Sequence, residues 1–212
     1  MRLSYVRYLQ STFAKDIYGK NVFQTTTQIA EKNQAILAIN GDFYGSRDDG
    51  LIIRNGVFSR DQPRKALDNR SLLINDLGDF IFVTKGAVDG NSYLEKGVVH
   101  SLSFGPVLVE DGKVQKLNTQ ISKIENPRTA IGMIEPLHYL LIVVDGRSEQ
   151  SKGMRLGALA KLSVHLGAVS AYNLDGGGSS TLWYNGKIIN QPSVYGIFSD
   201  ERSISDILYL GY

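Results

Sequence analysis

Cysteine is absent from the 212 residues, which excludes disulfides, thiolate metal sites and a cysteine nucleophile and leaves the compartment open. No apolar run reaches the ~18 residues of a membrane helix. The opening stretch, Met1 to Lys20, is broken by Arg2, Arg7, Lys15 and Asp16 and has no signal-peptide core. An excess of either charge is also missing. The 23 Lys and Arg nearly balance the 21 Asp and Glu, which argues against a strongly basic nucleic-acid binder and an acidic tail protein. Proline is sparse, at five residues, and no linker, low-complexity stretch or long charge run divides the chain. Residues 1–212 are therefore expected to form one domain.

What is present is 42% hydrophobic residues, enough for a sizeable core, and 22 glycines, many placed in turns. Asn55-Gly56, Asp111-Gly112 and Asn185-Gly186 each join two short β-prone runs. Such pairs favour hairpins because both central residues must tolerate φ > 0. SLLIN and FIFVT, linked through Asp76-Leu77-Gly78-Asp79, read as a fourth hairpin with a longer loop. Residues 22–34 are expected to be helical with Val22, Ile29 and Ala30 facing inward. Residues 154–166 are expected to be helical with Leu159, Leu162 and Leu166 inward and Gly167 as the stop. Each is followed by an apolar strand, AILAIN at 35–40 and AVSAYNL at 168–174. The pattern predicts an α+β fold: mixed, largely antiparallel, curved sheets built from hairpins, with two main helices. Residues 59–70, the most polar stretch, are expected to be a mobile loop.

The most informative segment is YNLDGGGSST, residues 172–181, where an apolar strand ends in Asp175 and runs into Gly176, Gly177, Gly178, Ser179 and Ser180. Consecutive glycines are costly to order, and they suit a backbone that closely approaches a ligand or aims N–H groups at an anion. No Gly-Lys-Ser/Thr follows, so this is not a nucleotide P-loop, and it lacks the G-x-S-x-G elbow. LLIVVDGRSE ends a second apolar strand in Asp145-Gly146-Arg147. Taken singly, an Asp-Gly step is also an ordinary turn pair. Taken together, two carboxylates at strand ends are raw material for work on a glycosyl centre. AINGDFY places Asn40 and Asp42 just past a third strand. Asp48 and Asp49 follow; a divalent ion there would not match an EF-hand loop, and a solvated acidic loop is the simpler reading. Arg128 in NPRTAIG and Arg202 in DERSISDI suit bidentate binding of phosphate or carboxylate, or a surface ion pair. The three histidines, His100, His138 and His165, are far apart in sequence and read as structural, so no metal site is expected.

In order along the chain stand NGDF, SFGPVL, RTAIG, VDGRSEQSKGM, NLDGGGSST and ERSIS. This series resembles the phosphodiester glycosidase family, which includes the lysosomal uncovering enzyme that removes N-acetylglucosamine from a sugar-1-phosphodiester. The chain also resembles bacterial surface-polysaccharide relatives of that family, often carried behind a membrane anchor. The likeness runs from about residue 35 to the C-terminus. Two positions depart from it: Arg147, where the lysosomal enzyme has Gln, and Asp42, where many relatives have a second Gly. The resemblance implies hydrolysis of a glycosyl-1-phosphodiester at the anomeric carbon, without a cofactor. Catalytic carboxylates are expected at Asp175 and Asp145, with Asp42 as a third candidate. Substrate contacts are expected from Asn40, Arg128, Arg147, Asn173, Gly176, Gly177, Gly178, Ser179, Ser180 and Arg202. The implied partner is a sugar-1-phosphodiester or surface glycopolymer, with no nucleic acid and no direct membrane insertion. The implied place is extracellular or at a bacterial cell surface, behind an export segment that this sequence does not include. A non-catalytic polysaccharide-binding module and a metal-dependent phosphoesterase cleaving P–O are the competing readings.

Overall fold

The computed structural model describes residues 1–65, 70–84, 90–117, 121–194, 197–198 and 201–211. Two five-stranded sheets dominate. In the first, the strand order is Leu9–Phe13, Asp206–Leu210, Leu37–Asn40, Leu182–Tyr184, Lys187–Ile188. In the second it is His138–Val144, Arg128–Glu135, Ser170–Asn173, Val107–Glu110, Lys113–Val114. A three-stranded sheet (Phe80–Thr84, Arg70–Asn75, Val98–Leu102) and two ribbons complete the strands, and every pairing among the described residues is antiparallel.

Alternation of side chains along each strand explains the layering. Ile39 and Leu208 of the first sheet and Ile131 and Tyr172 of the second point into a shared core, where Leu72, Ile74 and Leu102 of the three-stranded sheet join them. Their neighbours point the other way. Ala38, Ile207 and Tyr209 pack under helix α1 (Thr26–Lys32), and Ala130, Ile142 and Ala171 pack under helix α3 (Leu156–His165). The order is helix, sheet, sheet, helix, which is the expected α+β class.

The hairpin reading holds in detail. Asn55 and Gly56 have φ of 50° and 74°, Asp111 and Gly112 50° and 70°, and Asn185 and Gly186 46° and 85°. The longer hairpin pairs Arg70–Asn75 with Phe80–Thr84. The helices are shorter than their periodicity suggests. Thr25 is extended and accepts a bond from the Gln28 N–H, while the Gln28 side chain accepts one from the Thr25 N–H, so this capping box starts α1 four residues late. Likewise Met154 bridges to Asn126, and α3 begins at Leu156. Its inner face is Leu156, Leu159, Ala160 and Ser163; Leu166, at the C-terminal cap, is 44% exposed, which corrects the expectation for that residue. A short helix α2, Asn91–Glu95, adds to the two expected helices. The polar stretch 59–70 differs at its start from the expected loop. Ser59 to Gln62 complete the strand Val57–Gln62, held by Arg60, which donates to the carbonyls of Gly50, Arg47 and Asp49. Residues 66–69 of that stretch lie outside the described residues.

Candidate active site

Antiparallel register brings three strand ends to one edge of the second sheet. Arg128 pairs with Val144, and Ala130 pairs with Asn173. The chain therefore leaves toward Asp145 and Asp175 on the two sides of one central strand, roughly 10 Å apart at normal strand spacing. Both Asp-Gly steps then pack on Pro127. A Cβ on Gly146 would lie 2.9 Å from the Pro127 nitrogen, and one on Gly176 would lie 2.8 Å from the Pro127 oxygen. Neither position has room for a side chain, which is the physical reason for the repeated Asp-Gly.

Asp175 is the centre of the arrangement. Its carboxylate is largely buried, accepts the Gly176 N–H at 2.8 Å, and meets Nη2 of Arg202 at 3.2 Å. Arg202 Nε donates to Ser179 Oγ at 2.9 Å, and its Nη2 also donates to the Gly176 carbonyl at 3.0 Å. Burial pushes the Asp175 carboxyl above the ordinary range, against the pull of Ser179, Arg202 and the Gly176 N–H. The Arg202 guanidinium lies 5.9 Å from the ring centre of Phe43, a half-buried aromatic held at φ 60°. A positive φ on a bulky residue is uncommon and collects at functional sites. Phe43 lies within the NGDF motif, and nothing in the sequence marks its role, because backbone strain leaves no trace in composition.

A second cation approaches from the other side. Arg147 is exposed, sits at φ 59°, and donates from Nε to Asn126 Oδ1 at 3.0 Å. Its Nη2 lies 2.8 Å from where a Cβ on Gly177 would stand. Asp145 is half-buried. Its Oδ1 accepts from Asn190 Nδ2 at 2.8 Å and from the Gln191 N–H at 2.9 Å. Asn190 also donates to the Ser180 carbonyl, so it links Asp145 to the glycine loop. Asn126 and Asn190 went unnoticed in the sequence, since their roles depend on partners distant along the chain.

Other anticipated contacts turn inward. Asn40 is fully buried: it donates to the Asp175 carbonyl at 2.7 Å and accepts from Thr129 Oγ1 at 2.7 Å. It fixes the backbone that carries Asp175 and offers nothing to a sugar hydroxyl. Asn173 is buried and donates to the Gly105 carbonyl. Arg128 is also buried, with Nε on the Met154 carbonyl and Nη2 on the Ile124 carbonyl, so it ties loops together in place of an exposed anion contact. Ser180 is buried behind the loop. Four N–H groups of the glycine loop are already spent. Gly176 bonds Asp175 Oδ1, Gly177 the Pro127 carbonyl, Ser179 the Gly176 carbonyl and Ser180 the Gly177 carbonyl. These groups do not form an open phosphate cradle.

Asp42 is the clearest departure. With no exposed surface, its carboxylate cannot meet a substrate. It pairs with Arg47 and Arg54 at 3.3 Å each and accepts the Ser103 N–H at 2.8 Å. Burial alone would raise its pKa, but Arg47, Arg54 and the Ser103 N–H together hold it below the ordinary value. Arg54 also binds Asp206 at 2.7 Å, and burial pushes the Asp206 carboxyl up to about 6. A Cβ on Gly41 would fall inside the Asp206 carboxylate, and the Gly41 carbonyl accepts the Asp175 N–H at 3.3 Å. The ionic cluster therefore lies directly beneath the site. Among the described residues, no three His, Asp or Glu side chains gather as a metal site, and no helix is long and apolar enough to cross a membrane.

The sequence profile of the phosphodiester glycosidase family matches residues 33–210. The chain belongs to this phosphodiester glycosidase family. Among relatives, the SPbeta prophage-derived uncharacterized protein YomE of Bacillus subtilis (strain 168) is 30% identical over 96% of this chain and 34% of its own length. The N-acetylglucosamine-1-phosphodiester alpha-N-acetylglucosaminidase of Bos taurus is 28% identical over 71% of this chain and 26% of its own length. The chain thus spans only about a third of the first relative and about a quarter of the second. The catalytic domain of the zebrafish enzyme of the same name, auto-inhibited by its pro-peptide, superposes with a TM-score of 0.76 at 22% identity, covering 98% of this chain and 74% of that one. At that identity the likeness speaks for the phosphodiester glycosidase fold.

Proposed function

We propose that this chain hydrolyses a glycosyl-1-phosphodiester, of the N-acetylglucosamine-1-phosphodiester kind, at the anomeric carbon on an exported or surface glycopolymer. The observation that carries the reading is Asp175, a carboxylate set at a buried strand end among Arg202, Ser179 and a glycine loop whose first residue, Gly176, has no room for a side chain. In the proposed reaction Asp175 takes a proton from water as the water oxygen bonds the anomeric carbon. The bond from that carbon to the phosphate oxygen breaks, and its electron pair leaves with the phosphate. The products are free sugar and a phosphomonoester. The leaving group is already a weakly basic anion, so a strong general acid is not required. Asp145 keeps Oδ2 clear of partners among the described residues and stands as the second carboxylate.

Turnover of a sugar-1-phosphodiester in isotopically labelled water tests this. Label in the released sugar is the expected result. Label in the phosphate would mean P–O cleavage by a phosphoesterase, and glycopolymer binding without turnover would mean a binding module. The pH profile gives a second check. Asp175 must be ionised to accept a proton, and burial raises its pKa, so the acid limb of kcat/KM is expected above the ordinary carboxylate range. Arg202 favours the charged form, so Arg202→Met is expected to move that limb to higher pH as well as slow turnover. An unmoved limb would separate Arg202 from the titrating group.

A further inference from the structure

We propose that the site's two exposed-side arginines divide the work: Arg147 is the binding anchor for the phosphodiester anion, and Arg202 serves the chemistry at Asp175. This rests on the glycosidase reading above and adds a specificity-determining residue to it.

The two cations differ in what they already hold. Arg202 is committed to Asp175, Ser179 and the Gly176 carbonyl. Arg147 has one hydrogen bond among the described residues, from Nε to Asn126 Oδ1, and no acidic partner there. That single bond restrains the guanidinium and leaves both Nη groups to donate. The backbone is preset as well: Arg147 at φ 59° is in a conformation that costs roughly 1 kcal/mol or more for a residue with a Cβ. Gly177, at φ 63°, provides the space into which Nη2 reaches. The glycine-loop N–H groups that might have bound phosphate are mostly taken within the loop. What remains beside Asp175 is a preoriented, solvent-facing guanidinium with an open edge, which matches two oxygens of a phosphodiester monoanion.

Two measurements test the division, each on wild type, Arg147→Gln and Arg147→Lys, with thermal melts to confirm folding. In steady-state turnover of a sugar-1-phosphodiester, Arg147→Gln is expected to raise KM about 10- to 100-fold, the usual worth of a charge-assisted hydrogen bond, with kcat within about twofold. Arg147→Lys is expected to recover part of the loss. In a titration with dimethyl phosphate followed by NMR, the Arg147 Nε–H signal is expected to shift in wild type. The dissociation constant should weaken by a similar factor in Arg147→Gln, with acetate giving no comparable response. An unchanged KM, a loss confined to kcat, or equal dimethyl phosphate affinity in wild type and Arg147→Gln would each overturn the proposal, as would failure of the wild type to bind dimethyl phosphate. Specific dimethyl phosphate binding through Arg147 without any sugar release would uphold the anchor and overturn the glycosidase reading.

Discussion

Replacing Asp175 by Asn is expected to lower kcat on a sugar-1-phosphodiester by about a thousandfold or more while the melting temperature moves by only a few degrees. A factor of a thousand corresponds to ~4 kcal/mol of transition-state stabilisation, within the range lost when a positioned proton acceptor is removed. Asn keeps the shape and an acceptor for the Gly176 N–H. It also relieves the cost of burying a charge, the effect that raises the Asp175 pKa, so the fold is little affected. A purely structural Asp would give the opposite pattern: stability lower by roughly 1 kcal/mol and an unchanged rate per folded molecule. Release of free sugar, measured beside a thermal melt, separates the two. Near-normal turnover would transfer the catalytic role to Asp145.

The largest effect on stability is expected at Arg54, which plays no direct part in the chemistry. Its guanidinium is 3% exposed as a residue and lies between Asp42 and Asp206, both with essentially no exposed surface. It also donates to the carbonyls of Ile53 and Ser101. Removing one partner from a buried ionic group typically costs 3–5 kcal/mol; here Asp206 is left buried without its cation, while Asp42 keeps Arg47. For a chain of this size that is on the order of 10 °C in melting temperature. Arg54→Met should show this loss at pH 7.5 and a smaller one at pH 5. Without the cation the Asp206 carboxyl, which burial already pushes up, binds a proton more tightly in the folded state than in the unfolded state, so stability rises as pH falls. Denaturant unfolding at the two pH values checks the sign. A loss equal at both would mean that packing of the side chain, not its charge, is what matters.

Local features were the legible ones. Asn-Gly and Asp-Gly turns depend on the conformational tolerance of adjacent residues, and all three tight pairs fall where the sequence puts them. The two Asp-Gly strand ends were legible from the apolar runs that precede them, although the Pro127 packing that demands glycine there was not. The roles of Asn40, Arg128 and Asp42 were misjudged in one common way. Sequence identified polar residues at strand ends but not the direction in which they point, and each turns toward a partner that only the tertiary fold supplies. Asp206 and Arg54 carried no motif at all. Their importance arises from a meeting of residues 152 positions apart.

The place of the strand Asp206–Leu210 in the first sheet has a consequence for biosynthesis. It lies between Leu9–Phe13 and Leu37–Asn40, and its Asp206 accepts the Asp42 N–H from 164 residues away. At ~5–20 residues per second, a ribosome needs roughly 10–30 s to cover that interval. Throughout it the apolar strands at 9–13 and 37–40 lack the neighbour that joins them, and the carboxylate of Asp42 and the cation of Arg54 lack the third member of their cluster. The nascent chain must therefore wait with an open sheet edge, a form prone to pairing with other chains, and the ground beneath Asp175 is laid only after Asp206 has emerged.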